Sequence, residues 1–302
     1  MEANPYFIPQ PTPHSIHEVN EMLRKGEIDI ALVFPREFHN NLVEGGRAQI
    51  QIIADSSDPN IGTISTNYLR AIIAEQQMEW MGLQEIPYHI DVTSKLHYNP
   101  EMKSAYTFVP GIMGLVLMII CAIMTSISIV REKEMGTMEV LLASPLNSTT
   151  ILLSKTVPYL ALSFINLATI LVLSVFVLNV PIVGNLLLLL FISILFIFLS
   201  LSLGLLISTV AQTQVVAMLI SGIGLMMPVL ILSGMIFPIS NMPSVLQWMS
   251  ALVPARWYIT AVKKVMIQGL GFVAVAKEIG IMVGMIVVIV TLSIRNIKTR
   301  LE

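Results

Sequence analysis

The sequence predicts an α-helical polytopic membrane protein, with about five spans and a re-entrant outer hairpin, that carries an N-terminal α/β domain. Hydrophobic residues make up 55% of the 302 residues and charged residues only 12%, whereas about 25% of residues are charged in an ordinary soluble protein. Residues 1–105 hold 14 of the 19 acidic residues, and long apolar stretches fill residues 106–302. We therefore predict a water-exposed domain over 1–105 and a transmembrane domain over 106–302.

Five apolar runs approach or exceed the roughly 20 helical residues needed to cross a hydrocarbon core. They are residues 106–130, 151–180, 186–210, 215–237 and 279–294, of which the last is short. Basic residues mark the cytoplasmic side of a membrane protein. They flank the first connection and follow the last span: Arg131, Lys133, Lys155, Arg295, Lys298 and Arg300. We therefore expect the C-terminus in the cytoplasm and the N-terminal domain outside it, although four basic residues between 238 and 278 oppose this orientation.

Residues 238–276 contain two pieces that are too short to cross a membrane at about 1.5 Å per residue. Pro243 and Pro254 bracket the first piece, and the second ends before Gly269. A re-entrant pair of half-helices and a pair of helices lying in the membrane interface both fit this length, and we favour the re-entrant hairpin. Three aromatic residues are expected at headgroup depth: Trp248, Trp257 and Tyr258.

The N-terminal part alternates between predicted helices and strands. Ser15 and Glu18 form a capping box, which satisfies free backbone donors at the start of a helix that Gly26 ends. The other predicted elements are helices from Pro35 and from Asp58, and strands over 28–34, 48–54 and 85–92. Strands separated by helices predict a small α/β domain with at least two parallel strands.

The sequence has no strong catalytic or metal-binding pattern. Cys121 is the only cysteine, which excludes an intrachain disulfide and a cysteine-built zinc or iron–sulfur site. His14 and His17 lie three residues apart, but no third ligand is nearby, so a solvated pair is a better interpretation than a zinc site. Asp55 and Asp58 flank two serines without the remaining oxygen ligands of a calcium loop. We therefore predict no catalytic, cofactor-binding or metal-binding residue on this chain.

The sequence also shows no energy source for transport. It contains no phosphate-binding loop of the form Gly-x-x-x-x-Gly-Lys-Ser/Thr. None of the five predicted spans has Asp, Glu, Arg or His in its interior, which disfavours a proton-coupled antiporter. A net charge of −2 without a basic block gives no reason to expect nucleic acid as a partner. If the protein transports a substrate, a partner must supply the energy.

Two pairs of small residues lie four positions apart within predicted spans. Ser200 with Gly204 and Gly280 with Gly284 let helices approach closely, either within one subunit or between two. Pro158 and Pro228 are expected to kink their helices. No substrate-binding residue can be assigned from these features.

The first connection, residues 131–146, has a pattern that a membrane anchor does not require. A helix here would place Met135, Met138, Leu142 and Leu146 on one stripe, with Glu132, Gly136 and Glu139 on the neighbouring one. Anchoring explains Arg131 and Lys133. It does not explain three glutamates, a glycine that costs about 1 kcal/mol in a helix, and a proline stop. We expect one side of this helix to be free for a partner protein.

This segment closely resembles the signature of ABC-2 type exporter permeases, the membrane subunits of ATP-binding-cassette exporters. The matching residues are Arg131-Glu132-Lys133-Glu134-x-Gly136-Thr137-x-Glu139-x-Leu141-Leu142-x-Ser144-Pro145-Leu146. The resemblance implies that 131–146 is the coupling helix that sits against the ATPase subunit. The coupling residues that it implies are Glu132, Lys133, Glu134, Gly136, Thr137, Glu139, Leu142 and Pro145. Residues 26–38 resemble the family's large extracytoplasmic loop, and residues 241–243 and 254–257 resemble its outer hairpin.

The resemblance implies a multi-pass protein of a bacterial inner membrane that is not itself an enzyme. Its expected partners are an ATPase subunit that binds ATP and Mg, a second permease subunit, identical or not, membrane lipid, and in some systems a periplasmic adaptor. Family cargoes include drugs, lipids and polysaccharides, and the apolar spans slightly favour an amphipathic small molecule or lipid. The family's first span has no counterpart here, so we expect upstream in-frame DNA to encode one. Two alternatives stay open: a non-transporting sensor or assembly factor, and a channel or secondary transporter.

Overall fold

A computed structural model describes residues 7–8, 13, 15–45, 47–57, 59–83, 89–99, 101, 103–136 and 148–298. The chain divides into two compact units, Met1–Ser104 and Ala105–Glu302. The first unit contains three strands and three helices within the described residues. In chain order they are α1 (Ile16–Lys25), β1 (Ile30–Val33), α2 (Phe38–Gly45), β2 (Arg47–Asp55), α3 (Pro59–Leu83) and β3 (His89–His97).

The three strands form one sheet in the order β1-β2-β3. β2 and β3 are parallel, with Ile50 opposite Val92, because α3 returns the chain to the same end of the sheet. β1 is antiparallel to β2, with Ile30 opposite Ala54. β3 runs from His89 to His97 rather than over 85–92, of which 85–88 lie outside the described residues. The full-length pairing with the nine residues of β2 accounts for the shift.

Helices cover both faces of the sheet. Side chains alternate along β2, so that Ile50 and Ile52 pack with residues of α2 and α3, while Ile53 packs on the other face against α1. The start of α1 has the predicted cap: Ser15 Oγ accepts a hydrogen bond from the Glu18 backbone N–H at 3.1 Å. Gly26, at φ +70°, ends the same helix.

Within the described residues of the second unit, every secondary-structure element is a helix. The long helices are α4 (Ala105–Glu134), α5 (Ser148–Phe176), α6 (Leu186–Val210) and α11 (Phe272–Lys298). The shorter ones are α7 (Gln214–Leu219), α8 (Leu225–Leu232), α9 (Ser244–Ala251) and α10 (Pro254–Val262). A π-helical turn, Ile220–Gly224, joins α7 to α8, and a second one, Lys263–Ile267, follows α10.

Five helical segments within the described residues are long and apolar enough to cross a membrane. They are Ala105–Glu134, Val157–Phe176, Leu186–Val210, Gln214–Leu232 and Phe272–Asn296. The number agrees with the sequence prediction. The last span begins at Phe272 rather than at 279, because Lys277 and Glu278 continue the helix instead of marking its boundary.

The first and third spans pack closely at a glycine. A Cβ added to Gly204 of α6 would lie 2.7 Å from the Ala122 carbonyl oxygen and 2.7 Å from Thr125 Cβ of α4. The Ser200 and Gly204 pair thus serves packing within one subunit. By contrast, a Cβ added to Gly280 or Gly284 would meet nothing within 4 Å, so this second pair makes no comparable contact.

Candidate functional site

The first four residues of the predicted coupling helix are the last turn of the first span. α4 ends at Glu134, and Gly136 follows in the left-handed region at φ +71°. The Gly136 N–H donates to the Lys133 carbonyl at 3.2 Å, as a glycine after a helix commonly does. The prediction of one continuous helix through Gly136 is therefore wrong. Four predicted coupling residues lie outside the described residues: Thr137, Glu139, Leu142 and Pro145.

Lys133 and Glu134 both bond to other helices of this chain. The Lys133 ammonium donates to the Ser208 carbonyl in the last turn of α6, where free carbonyls favour a positive charge. Glu134 Oε2 accepts a hydrogen bond from Gln214 Nε2 at 2.7 Å and a longer one from the Gln214 N–H at 3.4 Å. Glu134 is an exposed residue that has a hydrogen-bond partner inside the subunit, and its contact with an ATPase subunit stays a prediction.

A buried apolar cluster lies at the same place. Val130 of α4, Ala211 of the α6–α7 turn and Ala217 of α7 pack together with no solvent exposure. Thr213 caps α7 by accepting from the Val216 N–H at 3.3 Å. These contacts and the two polar links join the end of α4, the end of α6 and the start of α7, and we call this group of contacts the helix-end junction. No pattern in the sequence predicts this junction, because its partners are about 80 positions apart.

The first span makes two further polar contacts inside the bundle. Ser126 Oγ lies 2.9 Å from Ser221 Oγ in the π-helical turn of the fourth span, and both residues are fully buried. Cys121 Sγ lies 3.0 Å from Ser163 Oγ of α5. Both pairs satisfy hydroxyl groups that lipid could not satisfy.

An apolar cavity of about 570 Å³ opens between the spans. Its walls come from α4, α6, α8, α11 and the connection between α9 and α10, and they include Met118, Leu203, Pro228, Val253, Gly284 and Met285. Among the described residues, no charged side chain lines it. Such a lining suits a hydrocarbon or aromatic group rather than an ion.

The second helix of the predicted hairpin, α10, packs into the helical bundle. Tyr258 is fully buried, its ring stacks on Phe196 at 4.2 Å, and its hydroxyl lies 3.0 Å from Ser193 Oγ. Tyr258 therefore packs against α6, which supplies both a ring and a hydroxyl partner, and its depth in the membrane stays a prediction. Trp248 of α9 is 79% exposed.

An ion pair that the sequence did not reveal ties the hairpin to the last span. Lys264 Nζ lies 2.8 Å from Glu278 Oε1 and donates to the Ala274 carbonyl at 3.1 Å. The Glu278 side chain is 5% exposed and that of Lys264 30% exposed. Glu278 Oε2 has no hydrogen-bond partner within the part of the chain that the structure describes. The premise that no span contains an acidic residue is thus wrong, because the last span starts six residues before Glu278.

Two residues considered for a cation site in the first unit, Asp55 and Ser56, make hydrogen bonds within the chain, and Asp58 lies outside the described residues. Asp55 Oδ1 accepts from the Ser57 N–H at 2.8 Å, and Ser56 Oγ donates to the His97 carbonyl at 2.5 Å. Burial raises the pKa of Asp55 above its usual value. Within the part of the chain that the structure describes, no group of three His, Cys, Asp or Glu side chains is placed to hold a metal ion.

A family model described as "ABC-2 family transporter protein" matches residues 1–295. The chain belongs to the ABC-2 transporter family. The resemblance found in the coupling segment is thereby confirmed over nearly the whole chain. This ABC-2 protein is a multi-pass membrane component of an ABC transporter, and its family implies an ABC ATPase as partner.

Relatives of this ABC-2 protein are permeases. It is 32% identical over 305 residues to the probable multidrug ABC transporter permease YbhS of Escherichia coli strain K12, across 100% of this chain and 81% of that protein. It is 31% identical to the probable multidrug permease YbhR of the same strain, across 78% of this chain and 64% of that protein. ABC transporter G family member 20 of Dictyostelium discoideum is 28% identical, across 68% of this chain and 29% of that protein. No solved structure gives a significant match.

Proposed function

We propose that the chain is the permease subunit of an ATP-driven exporter in a bacterial inner membrane, paired with a second permease and energised by a separate ATPase subunit. The observation that carries the proposal is the position of the coupling signature, which starts in the last turn of the first span. The signature therefore leaves the membrane at a helix end that is joined to two other spans. ATP and Mg bind on the ATPase subunit in this proposal.

The cargo that fits best is an amphipathic small molecule, a drug or a lipid-like compound. The cavity of about 570 Å³ has the volume of a small-ligand site and an apolar lining. Met118 and Met285 add unbranched, polarisable side chains that adapt to different shapes. The names of the two Escherichia coli relatives, multidrug permeases, point to the same class of cargo.

The test is reconstitution of the chain in vesicles with and without its ATPase subunit. We expect ATP-dependent movement of a fluorescent amphipathic dye only in the complex, and neither ATP binding nor hydrolysis by the purified chain alone. ATP hydrolysis by a preparation free of other subunits would contradict the assignment of the ATPase to a partner. Failure of the complex to move any dye, drug or lipid probe in the presence of ATP would contradict the exporter.

In the proposed topology, the first unit lies outside the cytoplasm, residues 238–276 form a re-entrant hairpin, and the C-terminus is cytoplasmic. The short lengths of α9 and α10 and the burial of α10 favour re-entry over two helices on the surface. Labelling of single cysteines, after Cys121→Ser, tests the orientation. In cells whose outer membrane has been removed and whose inner membrane is intact, a membrane-impermeant maleimide should label Asn40→Cys. It should label Asn296→Cys only after the inner membrane has been permeabilised.

Gly136 should be required for coupling through its backbone conformation. At φ +71°, residues other than glycine and asparagine are strained, although a Cβ would meet no atom of the described residues within 4 Å. We therefore expect Gly136→Val to lower ATP-dependent export several-fold at normal protein levels, and Gly136→Asn to retain most of it. Glu75→Lys, on an exposed face of α3, is the control for a surface change and should export normally. Equal export by the valine and asparagine variants would exclude a role for this turn.

A further inference from the structure

The helix-end junction connects the coupling signature to a helix that lines the cavity. We propose that Gln214 is a positioning residue for coupling, through which movement of the coupling segment reaches the fourth span. This inference rests on the proposed exporter function. It assigns a role to a residue outside the signature.

The first step is the link between Glu134 and Gln214. Glu134 is the last residue of α4, and Gln214 is the first residue of α7. The hydrogen bond of 2.7 Å is charge-assisted, because the acceptor is a carboxylate. The longer contact from the Gln214 N–H brings the same carboxylate to the N-terminus of α7, where a negative charge is favourable. A displacement of Glu134 therefore acts on the start of the fourth span.

The second step is that the junction moves as one body. The packing of Val130, Ala211 and Ala217 excludes solvent, and interiors packed in this way transmit displacement instead of absorbing it. The bond from Lys133 to the Ser208 carbonyl holds the end of α6 in the same group. The end of α4 therefore cannot shift without carrying the α6–α7 turn with it.

The fourth span is interrupted between the helix-end junction and the cavity. The π-helical turn Ile220–Gly224 interrupts the regular helix, and such turns frequently occur at functional sites. It lies just before Pro228, which has no N–H to donate to the preceding turn. Ser221 within the turn contacts Ser126 of α4. A rotation of α7 therefore reaches the π-helical turn, in which the backbone hydrogen bonds can rearrange.

Beyond the π-helical turn, the fourth span forms part of the wall of the cavity. Leu225, Pro228 and Val229, directly after the π-helical turn, all line it. A shift that starts at Glu134 and passes through Gln214 and α7 thus ends on residues that define the shape of the proposed cargo site. The coupling signature and the cavity are then linked by one interrupted helix.

The experiment exchanges donor and acceptor in the pair. Gln214→Glu places two carboxylates together, whereas the double variant Glu134→Gln with Gln214→Glu restores a hydrogen bond with its direction reversed. The chain offers a matched control, because Gln76 Nε2 donates to Glu79 Oε2 at 2.8 Å on the exposed side of α3. Gln76→Glu creates the same repulsion far from the spans in sequence. The readouts are export rate, ATP hydrolysis and co-purification of the ATPase subunit.

We expect Gln214→Glu to lower the amount exported per ATP hydrolysed by roughly two- to tenfold, the range that one lost hydrogen bond gives, with the ATPase subunit still bound. The double variant should regain most of the export per ATP that Gln214→Glu loses, because the hydrogen bond is restored, and Gln76→Glu should not differ from the wild type. Normal export by Gln214→Glu, or a loss that the double variant does not restore, would overturn the inference.

A second variant and the wild-type complex ensure that every outcome supports or rejects the inference. If Gln214→Glu does not reach the membrane, Gln214→Ala removes the donor without adding charge and should lower the same ratio, and an unchanged ratio would overturn the inference. The exporter function itself is tested by the wild-type complex. Absence of ATP-dependent export there rejects the proposed function, whereas normal wild-type export with an unaffected Gln214 variant rejects only the role of Gln214.

Discussion

Lys264→Met should destabilise the folded transmembrane unit by roughly 3 kcal/mol, the lower part of the range for breaking a buried ion pair. The substitution removes the only cation within 4 Å of the Glu278 carboxylate among the described residues. Glu278 is almost fully buried, and Oε2 already lacks a hydrogen-bond partner. The 30% exposure of Lys264 places the expected effect at the lower end. Thermal unfolding of the detergent-solubilised protein measures it.

Two further variants show whether the loss comes from an uncompensated charge. Lys277→Met makes the same change on an exposed lysine of α11, the helix that carries Glu278, and should shift stability by less than about 0.5 kcal/mol. Lys264→Met combined with Glu278→Leu removes both charges and should recover much of the loss, since apolar pairs often replace buried ion pairs without penalty. A double variant that is less stable than Lys264→Met alone would show that packing, not charge, holds the hairpin to the last span.

The ion pair between Lys264 and Glu278 explains why the sequence misplaces the start of the last span. Hydropathy located four of the five spans closely, because a run of about 20 apolar residues has few other uses. The sequence predicts a start at 279, because the uncharged apolar run begins only after Lys277 and Glu278. A charge can enter a span when a partner from elsewhere in the chain compensates it, and Lys264 lies 14 positions away in a separate element.

Contacts between neighbouring residues could be predicted from the sequence, whereas contacts between residues far apart in the sequence could not. The Ser15 cap and the Gly26 stop of α1 depend on neighbouring residues only, and both form as expected. The bond between Glu134 and Gln214 spans 80 positions, so no periodicity or motif reports it. The coupling signature was found through family resemblance, whereas its attachment to α6 and α7 needed three-dimensional information.

Gly204→Leu should disrupt the packing of α4 against α6 and cost about 1–3 kcal/mol or more, the range for inserting atoms into a packed interior. Even the first added atom would lie 2.7 Å from the Ala122 carbonyl oxygen, which is backbone and cannot rotate away. The two helices must then separate, with loss of the contacts on either side of Gly204. We expect a lower yield of monodisperse protein and a lower unfolding temperature in detergent.

Gly280→Leu is the matched control, since it adds the same atoms to another glycine of a small-residue pair inside a span. A Cβ there meets nothing within 4 Å, so stability of the isolated subunit should change little. Tolerance of leucine at Gly204 would contradict the close approach of α4 and α6. If Gly280→Leu left the subunit stable but prevented two permeases from associating, the pair Gly280 and Gly284 would lie at the seam between subunits. An exposed glycine of a span gains a steric requirement when it contacts a second chain.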